Sequence, residues 1–96
     1  MLEKKYKPVL LNIILKRIPN CDVYLFGSRA KRKNKSGSDF DLAIDAGQKI
    51  NRSILFKIQD DIEESSIPVF VDLVDVHDVD TSFLKHIKKE WILWKM

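Results

Sequence analysis

The stretch that decides the reading is Val23-Tyr24-Leu25-Phe26-Gly27-Ser28-Arg29-Ala30, followed by Ser38-Asp39-Phe40-Asp41-Leu42-Ala43. An apolar run ends in a Gly-Ser turn. Ten residues, Arg29 to Ser38, separate that turn from two carboxylates spaced by one residue. In an extended segment alternate side chains share a face. Asp39 and Asp41 therefore project together, close enough to share a divalent cation. A Gly-Ser turn after a strand offers backbone N–H groups and a hydroxyl to phosphate oxygens. A phosphate grip beside paired metal carboxylates is the minimum equipment for metal-dependent nucleotidyl transfer.

Working outward, Cys21 to Phe26 and Phe40 to Asp45 read as buried strands, rich in β-formers. Upstream, Leu2, Tyr6, Val9, Leu10, Ile13, Ile14 and Ile18 recur at steps of three and four. That spacing predicts an amphipathic helix to about Arg17, closed by Pro19-Asn20. Pro8 belongs near a helix start, so residues 1–6 are expected to form a separate turn. Downstream, Ile50, Ile54, Leu55, Ile58 and Ile62 mark a second helix, with Asn51 as its N-cap. Ser65-Ser66-Ile67-Pro68 breaks it. Val69 to Val76 reads as a third strand. Asp80 caps a last helix from Thr81 to about Glu90, with Phe83, Leu84 and Ile87 inward. Trp91 to Trp94 reads as a short edge strand. Strands alternating with helices give an α/β arrangement with a mixed sheet.

The third strand carries a third carboxylate. Asp72 lies inside Val69-Phe70-Val71-Asp72-Leu73-Val74, an apolar strand that would rarely bury an unpaired charge. Asp75, three residues on, should face the other side. The bland alternative makes Asp39, Asp41 and Asp72 solvated turn or strand-end carboxylates. For Gly27 and Ser28 it is a strand-ending turn with a helix N-cap. Gly27 permits close approach of backbone to phosphate. No Gly-x-x-x-x-Gly-Lys-Ser/Thr stretch exists, which excludes a P-loop.

Arg29, Lys31, Arg32, Lys33 and Lys35 form a basic segment between turn and carboxylates. It suits triphosphate charge or an acidic partner; otherwise it is a solvated face. Without interleaved aromatics it argues against direct nucleic-acid binding. His77 and His86 lack Cys or acidic partners at metal-site spacing and read as structural or exposed. Trp91 and Trp94 read first as packing residues and second as an interface.

Ninety-six residues are expected to form one domain. Its hydrophobic fraction of 45% is too high for a disordered chain. A net charge of +3 favours polyphosphate contact only weakly. The lone Cys21 excludes an internal disulfide and points to a cytoplasmic setting. No apolar run reaches membrane-span length, and no signal-like block precedes residue 8.

The Gly-Ser, ten-residue, Asp-x-Asp pattern resembles the DNA polymerase β-like nucleotidyltransferase superfamily. Tyr24-Leu25-Phe26-Gly27-Ser28-Arg29-Ala30 and Ser38-Asp39-Phe40-Asp41-Leu42-Ala43 are similar to its smallest branch, the minimal (MNT) nucleotidyltransferases. Many of these pair as antitoxins with HEPN-domain toxins. The resemblance covers nearly the whole chain, residues 1–96, as a single minimal domain. It departs from the family at Trp91, where glycine is frequent.

The resemblance implies an α/β (α+β) fold: a polymerase β-like core, a small mixed sheet with packed helices. It implies that Asp39, Asp41 and Asp72 are catalytic and ligate Mg²⁺, with two ions expected. It implies nucleotide binding by Gly27, Ser28 and Arg29. The implied reaction transfers AMP from ATP to a tyrosine of a HEPN toxin, which is thereby silenced. Larger relatives hold their acceptor on an added domain, for which this chain has no room. The acceptor is therefore expected on a partner, in a homo- or hetero-oligomer. Two further readings stay open at this point. One is an antitoxin acting by binding alone. The other is a nucleotidyltransferase for a small alcohol such as an aminoglycoside.

Overall fold

Why the chain folds around these strands is visible in their alternation. The computed structural model describes residues 2–27 and 39–95. Its elements run α1 (Leu2–Arg17), β1 (Asp22–Phe26), β2 (Phe40–Asp45), α2 (Arg52–Glu64), β3 (Val71–Asp75), α3 (Thr81–Lys88) and β4 (Ile92–Lys95). The sheet order is β3-β2-β1-β4. β1 is antiparallel to both β2 and β4, whereas β2 and β3 are parallel. A parallel pair needs a crossover, and α2 supplies it.

One face of the sheet carries Val23, Leu25, Phe40, Leu42, Ile44 and Val71 against Leu10 and Ile14 of α1 and Ile58 and Ile62 of α2. This is the main core. The other face carries a smaller cluster: Phe26, Ala43 and Val76 with Ile87 of α3, joined by Tyr24, Val74, Leu84 and Trp91. Because alternate residues switch faces, the carboxylates Asp41 and Asp72 fall on this second, thinner side.

α1 runs unbroken through Pro8, so the expected separate turn over residues 1–6 does not occur. Proline removes one helical hydrogen bond. Tyr6, Leu10 and Ile14, at steps of four, straddle it and pack into the main core. That burial outweighs the lost bond. Asn51 caps α2 as expected, its side-chain oxygen accepting from the Ser53 N–H at 2.8 Å. β3 is shorter than Val69–Val76. Pro68 lacks a donor, and Asp75 ends the strand by accepting the His77 N–H at 2.9 Å. α3 stops at Lys88, where the Glu90 N–H turns back to the Ile87 carbonyl. Phe83 is expected inward but is 40% exposed, its ring T-shaped to that of Phe26 at 6.1 Å.

Both tryptophans are packing residues. The Trp91 ring stacks on Tyr24 with centroids 3.8 Å apart and planes 8° from parallel. Trp94 meets Phe40 edge-on at 6.0 Å, on the opposite face. Trp91→Ala should destabilise the fold by about 2 kcal/mol, through lost area and the lost stack. Urea unfolding followed by circular dichroism measures this. An unchanged midpoint would mean that the stack contributes nothing.

Candidate functional site

The site begins with strand register. Phe26 of β1 pairs with Asp41 of β2, and Asp41 pairs with Asp72 of β3. Neighbouring strands lie about 4.8 Å apart, so the two carboxylates are adjacent on one face. Asp39 precedes β2 by one residue and lies on that same face by alternation. At this end of the sheet the thin face opens to water. Asp41 is half-buried, whereas Asp39 and Asp72 are exposed.

The crowding has an electrostatic signature. The Asp41 carboxyl is pushed up from its ordinary 3.8 to about 6. Partial burial is the largest cause, followed by the negative charges of Asp72 and Asp39. Two neighbouring negative charges that raise the proton affinity of Asp41 have a shared use with it for a hard divalent cation. The donor set fits Mg²⁺, which takes few carboxylates and completes its octahedron with water and phosphate. Among the described residues no group of three or more His, Cys, Asp or Glu is by itself placed to hold a metal ion, so water and phosphate oxygens would have to complete the set. The trio is an open ledge, to which a substrate's oxygens have access.

Gly27 explains how Asp41 reaches its position. Its backbone sits at φ +80, a region that disfavours side chains. A Cβ placed there would lie 2.3 Å from Asp41 Oδ2. From the sequence this glycine is expected to serve the approach of backbone to phosphate. The structure adds a second reason: its missing side chain is the space that the Asp41 carboxylate occupies. Ser28 and Arg29, with Lys31 to Lys35, lie outside the described residues.

Asp75 is a structural group. It is 4% exposed and accepts the Ile50 N–H at 2.7 Å as well as that of His77. It faces the main core, opposite to Asp72. His77 has an acidic partner far away in sequence: its Nε2 lies 2.7 Å from Asp45 Oδ1. Burial works against the charge of Asp45, yet the Gly47 N–H and His77 hold its carboxyl below the usual range. This pair lies at the other end of β2 from Asp41. An open hollow of about 450 Å³ there, lined by Pro19 to Asp22 and Asp45 to Gly47, contains none of the expected site residues. Beside Gly27 a cleft of about 160 Å³ is lined by Phe26, Phe83, His86, Ile87 and Glu90. That is below the roughly 300–1,000 Å³ of a ligand pocket.

One exposed aromatic at this end was not singled out from the sequence. Phe70 precedes β3, is 78% exposed, and its carbonyl accepts the Phe40 N–H at 3.0 Å. An apolar strand pattern gives no signal that one of its rings is left in water.

Comparison with known proteins agrees with this fold. The sequence model of the family described as polymerase beta, nucleotidyltransferase matches residues 11–94. The chain is 31% identical over 85 residues to the probable protein adenylyltransferase MntA of Haemophilus influenzae. That match covers 88% of this chain and 75% of the relative. In fold it is similar to a crystal structure of a toxin–antitoxin with AMP-PNP, at TM-score 0.79 and 21% identity. That match covers 92% of this chain and 71% of the other. It is also similar to a chain of a tri-AMPylated Shewanella oneidensis HEPN toxin in complex with MNT antitoxin. There the TM-score is 0.76 at 20% identity, over 98% of this chain and 71% of the other.

Proposed function

This chain belongs to the minimal branch of the polymerase β-like nucleotidyltransferase family, and from that premise we propose that it is a Mg²⁺-dependent protein adenylyltransferase that acts as an antitoxin. It transfers AMP from ATP to a tyrosine hydroxyl of a HEPN toxin, in the cytoplasm, with residues 1–96 as one catalytic domain. The observation that carries this reading is the Asp41–Asp72 register pair beside Asp39, with Gly27 making room for Asp41. The names of the H. influenzae relative and of the HEPN–MNT complex support the acceptor class.

Asp39, Asp41 and Asp72 would hold two Mg²⁺ ions. Bound there, the ions supply charge that stabilises the attacking and leaving oxygens. The Gly27 turn and the Ser28 hydroxyl hold the β- and γ-phosphates, and Arg29 offsets their charge. The acceptor oxygen bonds to the α-phosphorus. The bond from that phosphorus to the bridging oxygen breaks, pyrophosphate leaves, and the hydroxyl proton passes to water. Partner docking supplies orientation, which accounts for much of the rate in such a two-substrate reaction.

The test is to incubate the purified chain with Mg²⁺, ATP and the product of the gene beside its own. Intact-mass spectrometry then reads the partner. The expected result is an added AMP on a tyrosine, absent with Asp41→Asn. A partner bound and inhibited without modification would favour an antitoxin acting by contact. Turnover of a small alcohol without partner binding would overturn the antitoxin reading.

A further inference from the structure

We propose that Phe70 is the acceptor-side contact residue of this site, against which the ring of the acceptor tyrosine packs. The inference rests on the adenylyl-transfer reading above and specifies which residue selects the acceptor. Three observations lead to it. Register comes first: Phe40 pairs with Val71, so Phe70 lies beside Asp39, joined through the Phe40 N–H to its carbonyl. Face comes second. Val69, Val71 and Leu73 pack toward the main core, so Phe70 alternates to the side of Asp72. Exposure is third. At 78% exposed, Phe70 is the most open of the large apolar side chains among the described residues.

The order of the strands gives the site a direction. Gly27 follows β1, Asp39 precedes β2, Asp41 lies in β2 and Asp72 in β3. With the triphosphate held at the β1 turn, pyrophosphate departs on that side. An in-line displacement then brings the attacking oxygen from the β3 side. Phe70 is the exposed aromatic on that side. Among the described residues β3 is a sheet edge, so the Asp72 side of Phe70 is open from that edge. A phenol entering there meets the ring of Phe70 before it meets the carboxylates. A serine or threonine hydroxyl has no ring to place against it. Phe70 thus favours an aromatic alcohol over an aliphatic one by contact.

The probes are N-acetyl-tyrosinamide adenylylated on its phenolic oxygen and N-acetyl-serinamide adenylylated on its hydroxyl. AMP and ATP serve as references, and calorimetry measures each affinity with Mg²⁺ present. In the parent chain the tyrosyl probe should bind roughly three- to tenfold more tightly than the seryl probe, the range of one aromatic pair. Phe70→Ala should abolish that preference while leaving ATP affinity and the thermal midpoint unchanged. Phe70→Tyr, which keeps a ring, should retain it. An equal preference in the parent and in Phe70→Ala, with ATP bound normally, would overturn this assignment alone. No ATP binding by the parent chain would overturn the adenylyl-transfer reading, and this assignment with it.

Discussion

Asp41→Asn is expected to lose transfer activity by on the order of 10²–10³-fold or more, while the folded protein becomes more stable near neutral pH. The amide keeps the shape of the side chain but not the charge that a divalent cation needs. The stability gain follows from the raised carboxyl. Its pKa in the folded chain is about 6 against an ordinary 3.8. The folded state therefore holds this proton more tightly than the unfolded chain does. Stability from this group is fully present below about pH 4, and it is lost as pH rises through about 6. Above that, an ionised Asp41 opposes folding. Because Asp41 is only half-buried, solvent screening reduces the effect to on the order of 1 kcal/mol. Thermal melts in EDTA should show the variant above the parent at pH 8 and level with it near pH 4. Adding Mg²⁺ should raise the melting temperature of the parent more than that of the variant, since a ligand of the folded state stabilises it by mass action. Parent-like activity in the variant would remove the metal-carboxylate mechanism.

Much of this arrangement is legible before any coordinates are seen, for local reasons. β2 was expected over Phe40 to Asp45, and it forms there. Four of its six residues are apolar and buried, and Ala46-Gly47 follows it. α2 was legible because an Asn cap and a four-turn apolar stripe agree. The choice of Asp72 over Asp75 rested on the two-residue period of a strand, and the two carboxylates do face opposite sides. What the sequence hid is long-range. The continuity of α1 through Pro8 depends on a core that local propensity does not contain. The His77–Asp45 pair joins residues thirty-two apart, through neighbouring strand ends. The exposed ring of Phe70 depends on β3 lying at a sheet edge, which is a matter of topology. Gly27 is the subtlest case. Its position in the turn was clear from sequence, but its contact partner is a carboxylate on the next strand.

That contact sets the second large effect. Gly27→Ala should cost the fold about 1–2 kcal/mol, because alanine is strained at φ +80. The steric part is cheaper than the 2.3 Å approach suggests. The atom in the way is the terminal oxygen of a side chain that can rotate, so the sheet itself need not move. Activity has no such escape. The rotation that relieves the contact takes Asp41 away from Asp72 and Asp39, so transfer should fall about as far as in Asp41→Asn. The two losses should not add. Gly27→Ala placed on Asp41→Ala should show the backbone strain in urea unfolding but no further loss of transfer, since both changes act through one carboxylate. If Gly27→Ala instead loses ATP affinity in proportion to activity, and does so equally with and without Asp41, the glycine acts on phosphate alone. Calorimetry with ATP in the four members of that cycle separates the two roles.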